Sequence, residues 1–347
     1  MDKESPIRKW FVVGIILLFV GTCIIPALAH ETEESQSSSD GDWFYVGGNG
    51  PGNYTMIQDA IDNASDGDTI YVYSGTYTSV LLNKYISLLG ENRATTIIDA
   101  TGADIGIAIM GNDDSNTKEN GITISGFTIK NANTGDYQAG IFIANYMNPI
   151  RNIKIYGNII TQNTEGITNF DGIDCQIFNN TITDNQDCGI DCLDSRVQSY
   201  ITNNIIMNNP IGIQAAGYEP LIIKMNQIEG NGLGIDMAVE SENTIQNNNF
   251  INNVADVEIN GYFTPITFLL WTLFFRMILK TKWDGNYWDE WNTRIPKPVI
   301  GAYELEMVIY LGGDKIRRIP LGTYPYIRYD WHPAQEPYDI SGMSLVK

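Results

Sequence analysis
A short repeat constrains this chain more than any other feature. From about residue 151 to residue 260 an Asn opens each unit at Asn158, Asn180, Asn204, Asn226 and Asn248, at steps of 22, 24, 22 and 22 residues. A second Asn follows five residues after the first, at Asn163, Asn185, Asn209, Asn231 and Asn253, with an apolar residue between them at Ile160, Ile182, Ile206, Ile228 and Phe250. A Gly-Ile pair comes next, at Gly166-Ile167, Gly189-Ile190, Gly212-Ile213 and Gly234-Ile235, replaced by Asp256-Val257 in the last unit. Within a unit the Ile-rich stretches are three to five residues long and alternate apolar with polar, which is strand periodicity. A unit this small cannot bury its own apolar face, so it must stack on its neighbours, like strand over like strand, at about 4.8 Å per rung. Three short strands per turn predict an all-β, right-handed parallel β-helix. A leucine-rich repeat or a calcium-binding nonapeptide roll would need Leu or Gly-Asp offsets that the units lack. Stacked Asn side chains predict an amide ladder with left-handed backbone at the corners, and the Gly before each Ile is expected to serve the sharper corner.

Looser rungs precede the regular ones, at 69–72, 86–89, 96–98, 105–109, 122–129 and 141–143. The helical coil with its N-terminal cover is therefore placed at 43–262. An open coil exposes strand edges and core at both ends, so both need covers. Thr55 and Gln58 have capping-box spacing, and Met56, Ile57, Ala60, Ile61 and Ala64 form one apolar face, which predicts a short capping helix. Residues 263–347 are expected to hold an apolar segment and an aromatic C-terminal cap.

The N-terminal segment predicts a protein outside the cytoplasm. Residues 1–29 combine Arg8 and Lys9, an apolar run from Trp10 to Ile25 and the small-x-small site Ala27-Leu28-Ala29, the layout of a cleaved export signal or, if kept, an anchor. Residues 30–42 are acidic and Ser-rich and read as a spacer. The formal charge is −20; three of 21 basic and two of 41 acidic residues lie in the signal, leaving −21 over 318 residues. So acidic a chain is not built to bind nucleic acid. Cys175, Cys188 and Cys192 remain after the signal, an odd set with spacings that suit neither a disulfide framework nor a zinc site.

The stretch YTMIQDAIDNASDGDTIYVYSGTY and, after it, ISLLGENRATTIIDATG resemble the opening of the NosD-like, pectin-lyase-like β-helix proteins, a group of carbohydrate-binding proteins and sugar hydrolases. The end of the chain, with WDGNYWDEW and YDWHPAQEPYDI, resembles the tails of archaeal NosD-like surface proteins. The resemblance implies a parallel β-helix that binds or processes polysaccharide, or one that assists copper-enzyme maturation. It specifies fold more closely than activity, because one scaffold hosts many chemistries.

Carboxylates are the catalytic candidates. Asn169-Phe170-Asp171-Gly172-Ile173-Asp174 and Asn185-Gln186-Asp187-Cys188 are similar to the paired motifs of polygalacturonase-type glycosidases, with Cys188 standing where that pattern has an Asp. Asp171, Asp187 and Asp191 are the residues that would carry such chemistry, since inverting hydrolysis needs two carboxyl groups roughly 6.5 to 9.5 Å apart. Aligning the Gly-Ile pairs puts Thr168, Asp191, Gln214 and Asp236 in one outward column, with Asp171 and Asp194 stacked beside it, an acidic groove suited to Ca²⁺. Lyase chemistry would also need a base, for which Arg196 and Lys224 are nearest in the sequence. Copper is implied by the resemblance alone; His30, which cleavage would make the amino terminus, and His332 are the imidazoles left to test.

Trp283, Tyr287, Trp288 and Trp291, with Tyr324, Tyr326, Tyr329 and Trp331 beyond them, suit either a sugar-stacking platform or the C-terminal cap. Residues 266–279 are apolar at eleven of fourteen positions, short of the roughly 20 a membrane span needs, and so predict a buried segment, with membrane contact as the alternative. The combined expectation is a secreted or cell-surface β-helix that binds polysaccharide without catalysis. A polysaccharide lyase or glycosidase and a copper-accessory protein are the alternatives.

Overall fold
The computed structural model describes residues 41–110, 121–134, 138–144, 150–170, 172, 174–192, 198–215, 220–237, 243–263, 281–310 and 316–340. The export signal, most of the spacer and residues 266–279 lie outside the described residues. Among the described residues the chain winds into a right-handed parallel β-helix with three sheets. The first sheet stacks ten parallel strands, from Trp43–Val46 at one end to Lys282–Asp284 at the other. The second stacks nine, from Gly75–Tyr77 to Tyr287–Trp288. The third runs in parallel from Val80–Leu82 to Ala255–Phe263 and is extended by Lys297–Tyr310 and the antiparallel Ile316–Asp330, which form a hairpin.

In-phase register explains the composition. In the first sheet Ile124, Ile155, Ile177, Ile201, Ile223 and Ile245 stand directly over one another, all buried. The second sheet repeats this with Ile129, Ile160, Ile182, Ile206, Ile228 and Phe250. Both columns run on into tryptophan: Ile245 is followed by Trp283, and Phe250 by Trp288, whose rings lie parallel at 4.3 Å. The coil thus continues past residue 262, because Trp283-Asp284-Gly285-Asn286-Tyr287-Trp288 is a further rung displaced along the chain by the intervening segment. Asn286 is its opening Asn, 38 residues after Asn248.

The asparagines form two buried amide ladders. In the first, the Nδ2 of Asn158, Asn180, Asn204, Asn226 and Asn248 each donates to the Oδ1 of the next, at 3.0–3.2 Å, ending on Asn286. Asn286 then donates to the buried carboxylate of Asp330 at 3.0 Å. In the second, Asn163, Asn185, Asn209 and Asn231 lead to Asn253, whose amide donates to Asp256 at 3.3 Å. The left-handed positions are the residues just before the ladder, including Asn179, Asn203, Met225 and Asn247 for the first and Gln162, Asp184, Asn208 and Asn252 for the second. The Gly of each Gly-Ile pair is not left-handed. A Cβ on Gly166 would stand 2.3 Å from the carbonyl oxygen of Gly189, and on Gly212 2.6 Å from that of Gly234. These glycines are there for close approach of rungs, not for a corner.

The helix Ile57–Asn63 covers the N-terminal end, burying Ile57, Ala60 and Ile61. The capping box does not form. Met56 is the N-cap residue and is exposed, with no side-chain cap. The Gln58 side chain instead brackets the strand edge at Leu81, accepting its N–H at 2.9 Å and donating to its carbonyl at 3.3 Å. At the other end of the helix Lys84 Nζ donates to the carbonyls of Ile61, Asp62 and Ala64 at 2.7–2.9 Å, closing orphan acceptors. No described helix is long and apolar enough to cross a membrane.

Candidate functional site
Alternation along the first sheet turns two residues of each strand outward, and register lines them up. One outward column is polar: Ser87, Thr123, Lys154, Gln176 and Tyr200 follow one another rung by rung. Ser87, Thr123, Lys154 and Gln176 form a wall of a groove of about 420 Å³, closed by Gly67, Tyr85, Gly121 and Asn152. The neighbouring column holds Tyr45, Tyr71, Leu89, Ser125, Tyr156 and Phe178. Tyr156 and Phe178 stack with centroids 4.9 Å apart. At the N-terminal end Trp43, Tyr45, Tyr71 and Tyr73 form a contiguous ring cluster, with centroids 5.2–6.4 Å apart. Burial raises the phenols of Tyr71 and Tyr85, with Glu91 adding at the first and Asp66 at the second, so both keep their O–H proton. Hydrogen-bonding side chains in one column beside aromatic faces in the next suit a hydroxyl-rich, ring-containing chain.

Sequence reasoning missed this face, because its outward residues differ in type from rung to rung and only the strand register lines them up as columns. The available signal was the aromatic cluster Trp43, Tyr45, Tyr71, Tyr73 and Tyr77 at alternate positions.

The aromatic residues singled out in the sequence lie elsewhere. Trp283 is 3% and Trp288 1% exposed, both inside the coil as continuations of the isoleucine columns, so neither presents a face to sugar. Tyr287 and Trp291 are half-buried; Trp291 Nε1 donates to the Ile295 carbonyl at 3.0 Å, and Lys297 Nζ sits 4.5 Å above the Trp288 ring. These contacts make that cluster the closure of the coil.

Among the candidate carboxylates, Asp171 lies outside the described residues, as do Asp194, Arg196 and His30. Asp187 is exposed just before the strand Cys188–Asp191, and Asp191 ends that strand at 3% exposure. The expected column Thr168, Asp191, Gln214 and Asp236 is in register and continues to Glu258. It is not a solvated groove along its length, since Thr168 and Asp191 are buried. Burial, reinforced by Glu258, raises the Asp236 carboxyl. Lys224 projects from the first sheet, away from this column in the third. The thiols are inert: burial pushes Cys175 up to about 12, and burial with help from Asp191 raises Cys188 and Cys192 well above the usual thiol value.

The family model described as periplasmic copper-binding protein (NosD) matches residues 61–293, from the capping helix through the last rung. The chain belongs to the NosD family. Among solved structures, the NosD-family coil is similar to a pectate lyase, with a TM-score of 0.50 and 14% identity over 65% of this chain and 70% of that one. A pectin methylesterase in complex with a hexasaccharide has a TM-score of 0.37 and 12% identity over 63% and 70% of the two chains. The pectin methylesterase of Aspergillus niger in deglycosylated form has 0.29 and 16% over 66% and 78%. The pectate lyase likeness speaks for the fold. No curated protein matches the chain.

The NosD description makes copper a question for the donor set. Among the described residues no group of three His, Cys, Asp or Glu side chains could hold a metal ion. His332 stands exposed with its Nδ1 2.7 Å from Asp284, a two-residue set, and the protonated, buried thiols add no ligand. The described residues therefore do not fit a copper centre.

Proposed function
We propose that this is an extracytoplasmic β-helix protein that binds an extended polysaccharide along the outer face of its first sheet and does not cleave it. Membership of a family described as periplasmic supports the location. The observation that carries the binding reading is the paired columns, with Ser87, Thr123, Lys154 and Gln176 in one and Tyr156 and Phe178 in the other. Successive rungs place equivalent groups at a regular interval, so a chain of similar sugar units meets repeated contacts, each weak and together specific.

The test is an array of neutral and acidic polysaccharides, with and without Ca²⁺, that reads binding and released reducing ends together. Binding without release is expected, with Lys154→Ala and Tyr156→Ala each weakening it roughly tenfold, equivalent to about 1.4 kcal/mol. Release of sugar ends that Asp187→Asn abolishes would replace this reading with a glycosidase or lyase centred on Asp171, Asp187 and Asp191. Copper handling is a second reading, favoured by the family description alone. Silence on every glycan, together with copper retained by the parent protein and lost from His332→Ala, would put it first.

A further inference from the structure
We propose that the hairpin of strands Lys297–Tyr310 and Ile316–Asp330 is the face by which this protein lies against an anionic lipid surface, holding the coil away from it. This inference is independent of the glycan reading. Ile300, Ile327, Tyr329 and Trp331 are all exposed, Ile300 and Trp331 by 62%. Ile300 pairs across the hairpin with Ile327, and the next pair on the same side of the ribbon is Pro298 with Tyr329, with Val299 and Arg328 between them on the other side. Strand alternation puts these on one side of the ribbon, with the Tyr329 and Trp331 rings 5.5 Å apart. Beside them opens a cleft of about 450 Å³, lined in part by Lys282, Trp283, Arg328 and Trp331. The Trp283 indole N–H is buried with no hydrogen-bond acceptor, in a residue that lines this cleft. Two cations beside an apolar, aromatic lip match a lipid phosphate in the headgroup layer. Aromatic rings and long basic side chains both settle at that depth.

Charge decides between possible occupants. Residues 30–262 carry eight basic and thirty acidic side chains, whereas residues 263–347 carry ten basic and nine acidic. An anionic surface repels the coil and tolerates only the C-terminal region, which sets the orientation as well as the contact. Lys282 lies 4.0 Å from Asp284, a loose pair on an exposed side chain that a phosphate can displace. A protein strand adding to the hairpin edge fits less well, since Pro320 and Pro325 remove N–H donors from the terminal strand.

The test is vesicle co-sedimentation with protein beginning at residue 30, which retains every described residue, using phosphatidylglycerol mixed with phosphatidylcholine and phosphatidylcholine alone. Binding to the anionic vesicles, weakened by salt and accompanied by a blue shift of tryptophan emission, is expected. Ile300→Ser with Trp331→Ser should cut that binding at least about tenfold with thermal unfolding unchanged, since both side chains are exposed. Lys282→Gln with Arg328→Gln should erase the preference for anionic lipid. The proposal is overturned if the parent ignores anionic vesicles, or if the Ile300 and Trp331 variant binds them as the parent does. The second result would place any membrane contact elsewhere in the chain. Loss of glycan binding in that variant with vesicle binding intact would likewise overturn it, marking the patch as a sugar site.

Discussion
Each ladder asparagine uses its whole side chain on the neighbouring rungs. Asn226 donates to the Ile201 carbonyl at 2.8 Å and to Asn248 at 3.0 Å, while its Oδ1 accepts the backbone and side-chain N–H groups of Asn204. Removing it orphans groups that no water reaches, at about 1–3 kcal/mol each. Asn226→Ala should therefore cost about 3 kcal/mol or more in urea unfolding, whereas Thr181→Ala on the outer face should change stability by under about 0.5 kcal/mol. The spacing of these asparagines was legible in the sequence, but the left-handed role was misplaced by one residue. The ladder needs its amide aimed along the axis, so the turn falls to the preceding residue, even where that is Met225. Asp99 shows a different dependence. The Thr101 hydroxyl, with Asn131, the Thr101 backbone N–H and Lys130 adding, holds its carboxyl down to about 2 against an ordinary value near 3.8. A depressed carboxylate contributes stability above the unfolded value that is lost as pH falls through the folded one. Between about pH 4 and pH 2 the parent should lose stability that Asp99→Asn does not, a difference readable in thermal melts and kept small by solvent screening.

Strands of three or four residues have no stability of their own and exist here because each is paired on both sides by an equivalent strand. That pairing needs the rungs to meet at one height around the whole turn, which is why the Gly-Ile pairs are invariant in four successive units. Gly166→Ala would press a Cβ against the Gly189 carbonyl oxygen at 2.3 Å and the Ile182 side chain at 2.9 Å. The nearest atom belongs to the backbone of the next rung and the Ile182 side chain is packed inside the coil, so the cost should reach about 1–3 kcal/mol and appear as a lowered melting temperature. The helix at the N-terminal end illustrates the opposite relation. Its apolar face was legible, but Thr55 and Gln58 had capping-box spacing without forming the box, because Gln58 finds a better partner pair at the strand edge of Leu81. Local spacing specifies a cap only when no tertiary partner competes for the same side chain.

At the scale of the whole molecule the coil is a one-dimensional stack with a cover at each end. Its N-terminal end is closed by the helix, and its C-terminal end by Trp283, Trp288, the hairpin and Asp330, which accepts bonds from Gly285, Asn286 and Trp288. Opening should therefore begin at the ends. Hydrogen exchange is expected to show the greatest protection in strands Ile159–Thr161 through Gln227–Glu229 and less in Trp43–Val46 and the hairpin; uniform protection along the axis would contradict a stack stabilised by nearest neighbours. The sequence by itself determined the architecture, the inward isoleucine columns and the amide ladders, because a repeat with in-phase register projects each sequence position onto one place in space. It also determined the outward alignment of Thr168, Asp191, Gln214 and Asp236. Only the tertiary structure decided which columns meet solvent: it buried Trp283 and Trp288 inside the coil and left Tyr45, Tyr71, Tyr156 and Phe178 on the outer face of the first sheet. The physical reason is that alternation assigns a side of the strand, whereas exposure depends on what the rest of the chain lays over that side. An insertion that shifts one rung by sixteen residues hides its tryptophans from the period although it leaves them in the stack.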